Sequence, residues 1–154
     1  TIDFPQNITQ VHFIKLRLFD TKGKEVANTF YWRSNDKYEG RKTLTGPTSS
    51  GFEDLSKLKQ VQLKTRYQTY QEGDRHFIKA EIKNPSSTVA FFTQLQLLGQ
   101  DKKPVRPSFY TDNFFSLLPG ESKTVIIETA ASDMPSEPTF VVKGWNIKPS
   151  SFKL

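Results

Sequence analysis

Alternation of apolar and polar residues is the feature of this sequence that most limits its fold. In KQVQLKTRY (59–67), the apolar side of the alternation consists of Val61, Leu63, Thr65 and Tyr67. In RHFIKAEIK (75–83), it consists of Ile78, Ala80 and Ile82. Successive side chains of a strand point to opposite faces, so each of these strands has one dry side and one wet side. This pattern is typical of two antiparallel sheets packed face to face.

Eight segments carry this alternation or a run of β-branched residues. They are residues 11–19, 25–32, 59–70, 75–83, 89–98, 114–118, 122–129 and 139–146. The stretches between them are short and rich in turn-forming residues; in LPGES, Pro119 presets φ and Gly120 supplies the positive φ of a type II turn. The sequence therefore predicts an all-β fold, an immunoglobulin-like antiparallel β-sandwich.

Composition argues against several classes of protein. The formal net charge is +6, but the basic residues are scattered among acidic and hydroxyl residues, so we expect no nucleic-acid partner. The sequence contains no cysteine, which excludes disulfides and thiolate zinc sites. Its longest apolar runs are only a few residues, so we expect no membrane partner. No motif indicates a cofactor.

The chain resembles itself at an offset of 79 positions. FIKLRLFDTKGKEVANTFY (13–31) aligns without a gap with FTQLQLLGQDKKPVRPSFY (92–110). Either two hairpins share turn chemistry by chance, or a complete sandwich of roughly 100 residues follows the end of another. The second interpretation divides the chain into the last strands of a preceding sandwich (1–34), a connector (35–58) and a complete sandwich (59–154). In this interpretation the complete sandwich is preceded by an extra N-terminal hairpin whose strand edges are unpaired. Because unpaired edges can pair with another chain, we expect dimerisation through residues 11–33.

The residues that could carry chemistry are not arranged as a catalytic or metal site. The two histidines, His12 and His76, lie within predicted strands without a nucleophile motif. The carboxylates occupy turn and connector positions, so we assign no catalytic residue and no metal ligand. Exposed Tyr and Trp side chains could stack on sugar rings, as in an autonomous carbohydrate-binding module with an aromatic platform. The alternative is core packing, which Phe-rich sets favour because Phe lacks a polar group.

Several motifs occur in an order that is informative in combination. They are NTFYWRS (28–34), FEDLSKL (52–58), NPSSTVAFFTQLQLL (84–98), SFYTDNFFSLLPGESKTVII (108–127) and VKGWN (142–146). Together they resemble the C-terminal β-sandwich region of glycoside hydrolase family 2. The most similar branch is the group of β-mannosidase, mannosylglycoprotein endo-β-mannosidase and exo-β-glucosaminidase.

The resemblance implies that this chain is a non-catalytic region of an exo-β-glycosidase, packed on a catalytic (β/α)8 barrel and on other sandwich domains. Such a barrel needs roughly 250 residues and is absent from this chain. A β-linked oligosaccharide is a further candidate partner, and the sugar specificity stays open. The compartment also stays open, although the resemblance favours a periplasmic or secreted protein.

Five residues are the candidates for contacts at the substrate entrance or between domains. They are Tyr31, Trp32, Tyr110, Asp112 and Asn113. The alternative for the last three is to cap the backbone of their own loop.

Overall fold

Ten strands are defined within residues 5, 7–35 and 51–154, which are the residues that this computed structural model describes. In chain order they are β1 Val11–Phe19, β2 Glu25–Ser34, β3 Lys64–Glu72, β4 Arg75–Lys83, β5 Ala90–Leu98, β6 Phe109–Tyr110, β7 Phe115–Leu117, β8 Ser122–Ala130, β9 Thr139–Gly144 and β10 Ile147–Lys153. Two short 3₁₀ helices accompany them, Glu53–Lys57 and Ala131–Asp133. The chain divides into two compact units, Thr1–Leu58 and Lys59–Leu154.

The second unit is an antiparallel sandwich of two four-stranded sheets. One sheet has the order β3–β4–β8–β6, and the other has the order β10–β9–β5–β7. The predicted inward residues of β4, Ile78, Ala80 and Ile82, are at most 1% exposed. The opposite sheet contributes Leu95, Leu97, Phe140 and Val142 to the same core. Burial of each such aliphatic side chain stabilises the folded state by about 1.5–3 kcal/mol. The predicted all-β sandwich is confirmed.

The first predicted strand of this unit, residues 59–70, is divided between the two sheets. Val61 forms a parallel bridge with Ile147, the first residue of β10, whereas β3 begins at Lys64 and pairs with β4. Val61 and Leu63, which precede the division, are buried at 1% and 5% exposure. Beyond it the predicted dry side is only partly buried, because Thr65 is half-buried and Tyr67 is 38% exposed, although the Tyr67 ring packs edge-on against Phe140. Alternation in a sequence predicts which side chains face the core, but it does not predict which sheet the backbone joins.

β6 and β10 were not among the predicted strands. β10 contains Pro149 and two serines, a composition typical of turns, and its pairing with β9 shifts register between Ile147 and Ser150. A proline is tolerated there because β10 is an edge strand and Pro149 lies where the ladder is interrupted. β6 has only two residues, which is too short for a periodic signal.

The segments that align at the offset of 79 positions fold differently. β1 and β2 form a long hairpin, from Val11 opposite Ser34 to Phe19 opposite Glu25. After β5, the chain returns over a few residues, in which Pro104 bridges Leu98 and the Val105 N–H donates to the Leu97 carbonyl at 3.0 Å; β6 then joins β8 in the other sheet. Proline has no N–H with which to extend a hairpin. The proposed division of the chain stays a prediction, and residues 36–50 of its connector lie outside the described residues.

Candidate functional site

The two candidate aromatic residues of the β1–β2 hairpin point to opposite faces of it. Tyr31 lies opposite Ile14 in the register, and Trp32 lies opposite Phe13. Both are exposed, Tyr31 at 48% and Trp32 at 43%. Because neighbouring residues of a strand alternate in direction, these two rings do not form one stacking platform.

Tyr110 and Thr111 connect the two sheets of the sandwich. The backbone N–H of Thr111 donates to the Ile126 carbonyl of β8 at 3.0 Å, and the Thr111 hydroxyl accepts from the Ile126 N–H at 3.0 Å. The Tyr110 hydroxyl accepts from the Leu97 N–H of β5 at 3.0 Å. Burial raises the pKa of the Tyr110 phenol, an effect that the hydrogen bond from Leu97 partly opposes. The phenol is therefore a neutral structural group at ordinary pH.

Asp112 and Asn113 are also bonded within the sandwich. The Asn113 side chain accepts from the Leu95 N–H at 2.8 Å and donates to the Leu95 carbonyl at 3.0 Å, so its amide imitates a neighbouring strand. The Asp112 carboxylate is paired with Lys123 and accepts from the Asn113 N–H at 2.7 Å. The structure thus brings Tyr110, Asp112 and Asn113 together in one internally bonded segment. Their role at a substrate entrance stays a prediction.

Asn84 is a buried structural residue whose role the sequence did not reveal. Its side chain is fully buried and donates to the carbonyls of Thr88 at 2.8 Å and Leu117 at 3.0 Å. Its side-chain oxygen accepts from the N–H and the hydroxyl of Ser86. The Asn-Pro-Ser-Ser motif begins one of the segments that carry the family resemblance, but a motif does not show that its asparagine is buried.

Asn146, in the Gly-Trp-Asn motif, has an equivalent role close by, since it bonds Val89 and Asn84 bonds the adjacent Thr88. Its side-chain amide donates to the carbonyls of Lys59 at 2.9 Å and Val89 at 2.8 Å, and its oxygen accepts from the Phe91 N–H at 2.9 Å. The residue is 6% exposed. A polar residue this well buried requires such bonds, because an unpaired buried amide is costly. Asn146 therefore joins three segments that are distant in the sequence, namely its own, that of Lys59 and that of Val89 and Phe91.

An aromatic surface formed by Phe92, Phe114 and Trp145 lies at one end of the β10–β9–β5–β7 sheet. The Phe92 and Phe114 ring centroids are 5.4 Å apart, and the buried Phe91 lies 5.7 Å from Phe92 and 6.5 Å from Trp145. The three surface residues are 39%, 49% and 59% exposed. Sequence reasoning missed Phe92. The signal was the Phe-Phe doublet in β5, since two consecutive strand residues cannot both face the core.

Two residues of the aromatic surface have a strained backbone. Phe92 and Phe114 both have φ of +57°, and the pairing of β5 with β7 is irregular between Ala90 and Thr93, where Phe92 lies. The left-handed conformation costs a bulky L-residue roughly 1–2 kcal/mol. Backbone hydrogen bonds hold it, because the Phe92 N–H donates to the Ser116 hydroxyl and the Phe114 N–H donates to the Asn113 side chain. Strain of this kind is concentrated at functional sites in proteins.

The described residues do not assemble a catalytic or metal constellation. In residues 5, 7–35 and 51–154, no three His, Asp or Glu side chains come close enough together to hold a metal ion. Within the same residues, none of the helices has the length and apolar character of a membrane span.

The fold and these contacts define an immunoglobulin-like β-sandwich domain, with polar motifs bonded internally and one exposed aromatic surface. The model of the exo-β-D-glucosaminidase Ig-fold domain family matches residues 43–147. The chain belongs to this family.

Two curated relatives are considerably longer than this chain. An exo-β-D-glucosaminidase of Streptomyces avermitilis is 30% identical over 149 residues, which are 90% of this chain and 16% of that protein. An exo-β-D-glucosaminidase of Amycolatopsis orientalis is 27% identical over 157 residues, which are 95% of this chain and 15% of that protein. This chain therefore spans about a sixth of the length of the relatives that it matches.

A solved structure has the same fold. The crystal structure of the Amycolatopsis orientalis exo-chitosanase CsxA superposes with a TM-score of 0.83 at 24% identity. The match covers 99% of this chain and 19% of that chain. It includes the β1–β2 hairpin as well as the sandwich.

Proposed function

We propose that this chain is a non-catalytic, C-terminal β-sandwich region of a larger exo-β-glycosidase, in which it supports a catalytic (β/α)8 barrel. The observation that carries the proposal is the family match over residues 43–147 in a chain that spans only 15–16% of its relatives. The remaining length of those relatives is ample for a barrel of roughly 250 residues. The catalytic carboxylates of the whole protein then lie outside this chain.

The substrate that we propose for the whole protein is a β-linked glucosaminide. Both relatives are named exo-β-D-glucosaminidases. The sequence resemblance pointed to a broader group that includes β-mannosidase, and the names of these relatives do not support a mannoside. Specificity is decided at the barrel, so this proposal rests on the relatives and not on residues of the sandwich.

The N-terminal hairpin belongs, in this proposal, to a preceding sandwich that ends near residue 34, and residues 35–58 connect it to the complete sandwich. Leu16, Leu18 and Tyr31 lie on one face of the hairpin and are 46%, 61% and 48% exposed. A two-stranded hairpin is at best marginally stable alone, so this apolar face is suited to packing on further strands. The family match begins only at residue 43, which also supports a different origin for the hairpin.

The size of the native polypeptide tests the proposal directly. An immunoblot of the source cells with antibody against this chain should show a band several times larger than 17.7 kDa. The immunopurified polypeptide should release p-nitrophenol from p-nitrophenyl β-D-glucosaminide faster than from the corresponding β-D-mannoside, while the isolated chain should release none. A native band at 17.7 kDa would contradict the proposal.

A second candidate function is an autonomous carbohydrate-binding module, as the aromatic content of the sequence suggested. The observation that favours it is the exposed aromatic surface, because flat apolar rings stack on sugars. Titration of the isolated chain with glucosamine oligosaccharides should then change the fluorescence of Trp145. An unchanged fluorescence would contradict this second function, and only the accessory-domain proposal would remain.

A further inference from the structure

We propose that the free edge of β3 pairs with the β3 edge of a second copy of this chain, antiparallel and about a two-fold axis at Gln68. The two β3–β4–β8–β6 sheets then form one continuous sheet of eight strands, four from each copy. The inference concerns the sandwich alone and does not rest on the proposed function. It assigns to the chain an interface that is separate from the hairpin of residues 11–33.

Among the described residues, β3 is the one edge of the sandwich that is both long and uninterrupted. It has nine residues and pairs with β4 without a shift of register. The edge strands β6 and β7 have only two and three residues, and β10 is interrupted around Pro149. Proteins protect edge strands by such shortness, prolines and irregularities, because an open edge pairs with another chain. β3 has none of these three protections.

Four residues of β3 direct their backbone N–H and C=O groups to the free edge. On the side of β8 that faces β6, the Ile126 carbonyl accepts from the Thr111 N–H, and the Ile126 N–H donates to the Thr111 hydroxyl, both at 3.0 Å. Lys79 lies opposite Ile126 in β4, so its own backbone groups are directed to β3, where Gln68 lies opposite it. This direction alternates along a strand, so the even-numbered residues of β3 bond to β4. The backbone groups left at the edge belong to Thr65, Tyr67, Thr69 and Gln71.

The two-fold register at Gln68 pairs all of these edge groups. Thr65 of each copy then lies opposite Gln71 of the other copy, and Tyr67 lies opposite Thr69. Each of these pairs exchanges two hydrogen bonds, as hydrogen-bonded pairs of an antiparallel ladder do. Tyr67, which is 38% exposed, gains a β-branched neighbour across the strands, which is a favourable cross-strand pair. A shift of register in either direction leaves edge groups of β3 unpaired.

The charges of β3 also match in this register, because Lys64 of each copy lies opposite Glu72 of the other. Within its own copy Lys64 lies opposite Lys83, and like charges directly opposite each other are unfavourable. In the part of the chain that the structure describes, neither Lys64 nor Glu72 forms an ion pair. A charged edge repels most other strands, but this order of charges is self-complementary. Charge complementarity therefore selects a second copy as the occupant of the edge.

Charge-reversal variants of the 154-residue chain test this register by sedimentation equilibrium. Lys64→Glu and Glu72→Lys should each raise the dissociation constant of the dimer roughly tenfold, because both symmetric pairs change from attraction to repulsion. The double variant should restore the dissociation constant to within about twofold of the original, because the pairs are again of opposite charge. The matched control is Lys102→Glu, which makes the same change of charge on an exposed residue outside β3 and should change the constant by less than about twofold.

Amide hydrogen exchange measured by NMR locates the interface residue by residue. As the protein concentration rises, exchange should slow at the amides of Thr65, Tyr67, Thr69 and Gln71. The amides of the even-numbered residues of β3 are the internal control, because their bonds to β4 should keep them slow at every concentration.

Each of the following results would overturn the proposal. Edge amides that exchange rapidly at every concentration would show that β3 stays open. Edge amides that exchange slowly at every concentration would show that another segment of the same chain covers the edge. Charge reversals that do not weaken the dimer, or concentration-dependent protection confined to residues 11–33, would place the association elsewhere on the chain.

Discussion

Substitution of Asn146 by alanine should be among the most damaging single changes in the sandwich. The change removes three hydrogen bonds of 2.8–2.9 Å, with Lys59, Val89 and Phe91, from a residue that is 6% exposed. Each hydrogen bond contributes a net amount of about 1 kcal/mol to folding stability. We therefore expect Asn146→Ala to lower the free energy of unfolding by roughly 3 kcal/mol. In a domain of this size, that corresponds to a melting temperature lower by roughly 15 °C.

Urea unfolding followed by far-ultraviolet circular dichroism measures this loss. The matched control is Gln62→Ala, which removes one exposed hydrogen bond to Ser150 and should change stability by less than about 0.5 kcal/mol. A loss below about 1 kcal/mol for Asn146→Ala would mean that water replaces the amide. The proposed fastening of three segments by this residue would then be wrong.

Four further predictions concern the rest of the chain. Gly144→Ala should destabilise the sandwich by about 1–3 kcal/mol in thermal unfolding, because the added Cβ would contact the Ile147 side chain and lie 2.9 Å from the Phe92 carbonyl; a neutral result would show that this corner yields easily. The stability contributed by Tyr110 should be fully present below pH 10.0 and lost as the pH rises through its raised pKa; Tyr110→Phe should flatten this alkaline dependence, and equal slopes would contradict it. Sedimentation of the isolated chain should show dimers that form through residues 11–33, and a monomer at all concentrations would refute this. Asp112→Ala should raise KM in the native polypeptide without unfolding it if the loop borders the substrate entrance; an unchanged KM would leave only its structural role.

Predictions that depend on local pattern were the most successful. β1 and β4 begin and end at the predicted residues, 11–19 and 75–83, because alternation is a property of each strand by itself. The turn at Pro119 and Gly120 is also local. Gly120 has φ of +80°, and the Glu121 N–H donates to the Leu118 carbonyl at 3.1 Å.

The candidate site was less predictable, because its contacts join residues that are far apart in the sequence. Tyr110 and Asn113 were chosen from a motif, but only the fold shows that they bond to β5. Likewise, alternation in β5 indicates that Phe92 faces outward, but only the fold shows that its ring lies beside that of Phe114.

The sequence by itself determined three things: the all-β sandwich fold, the turns that join its strands, and the family that the chain resembles. The fold class and the turns follow from side-chain period and turn chemistry within short windows, whereas the resemblance follows from the order of several motifs. The tertiary structure alone decided that Val61 joins the second sheet, that Asn146 reaches Lys59 across 87 positions, and that the ring of Phe92 lies beside that of Phe114. The physical reason is that a buried amide or an exposed ring acquires its role from neighbours that only folding brings within a few ångströms.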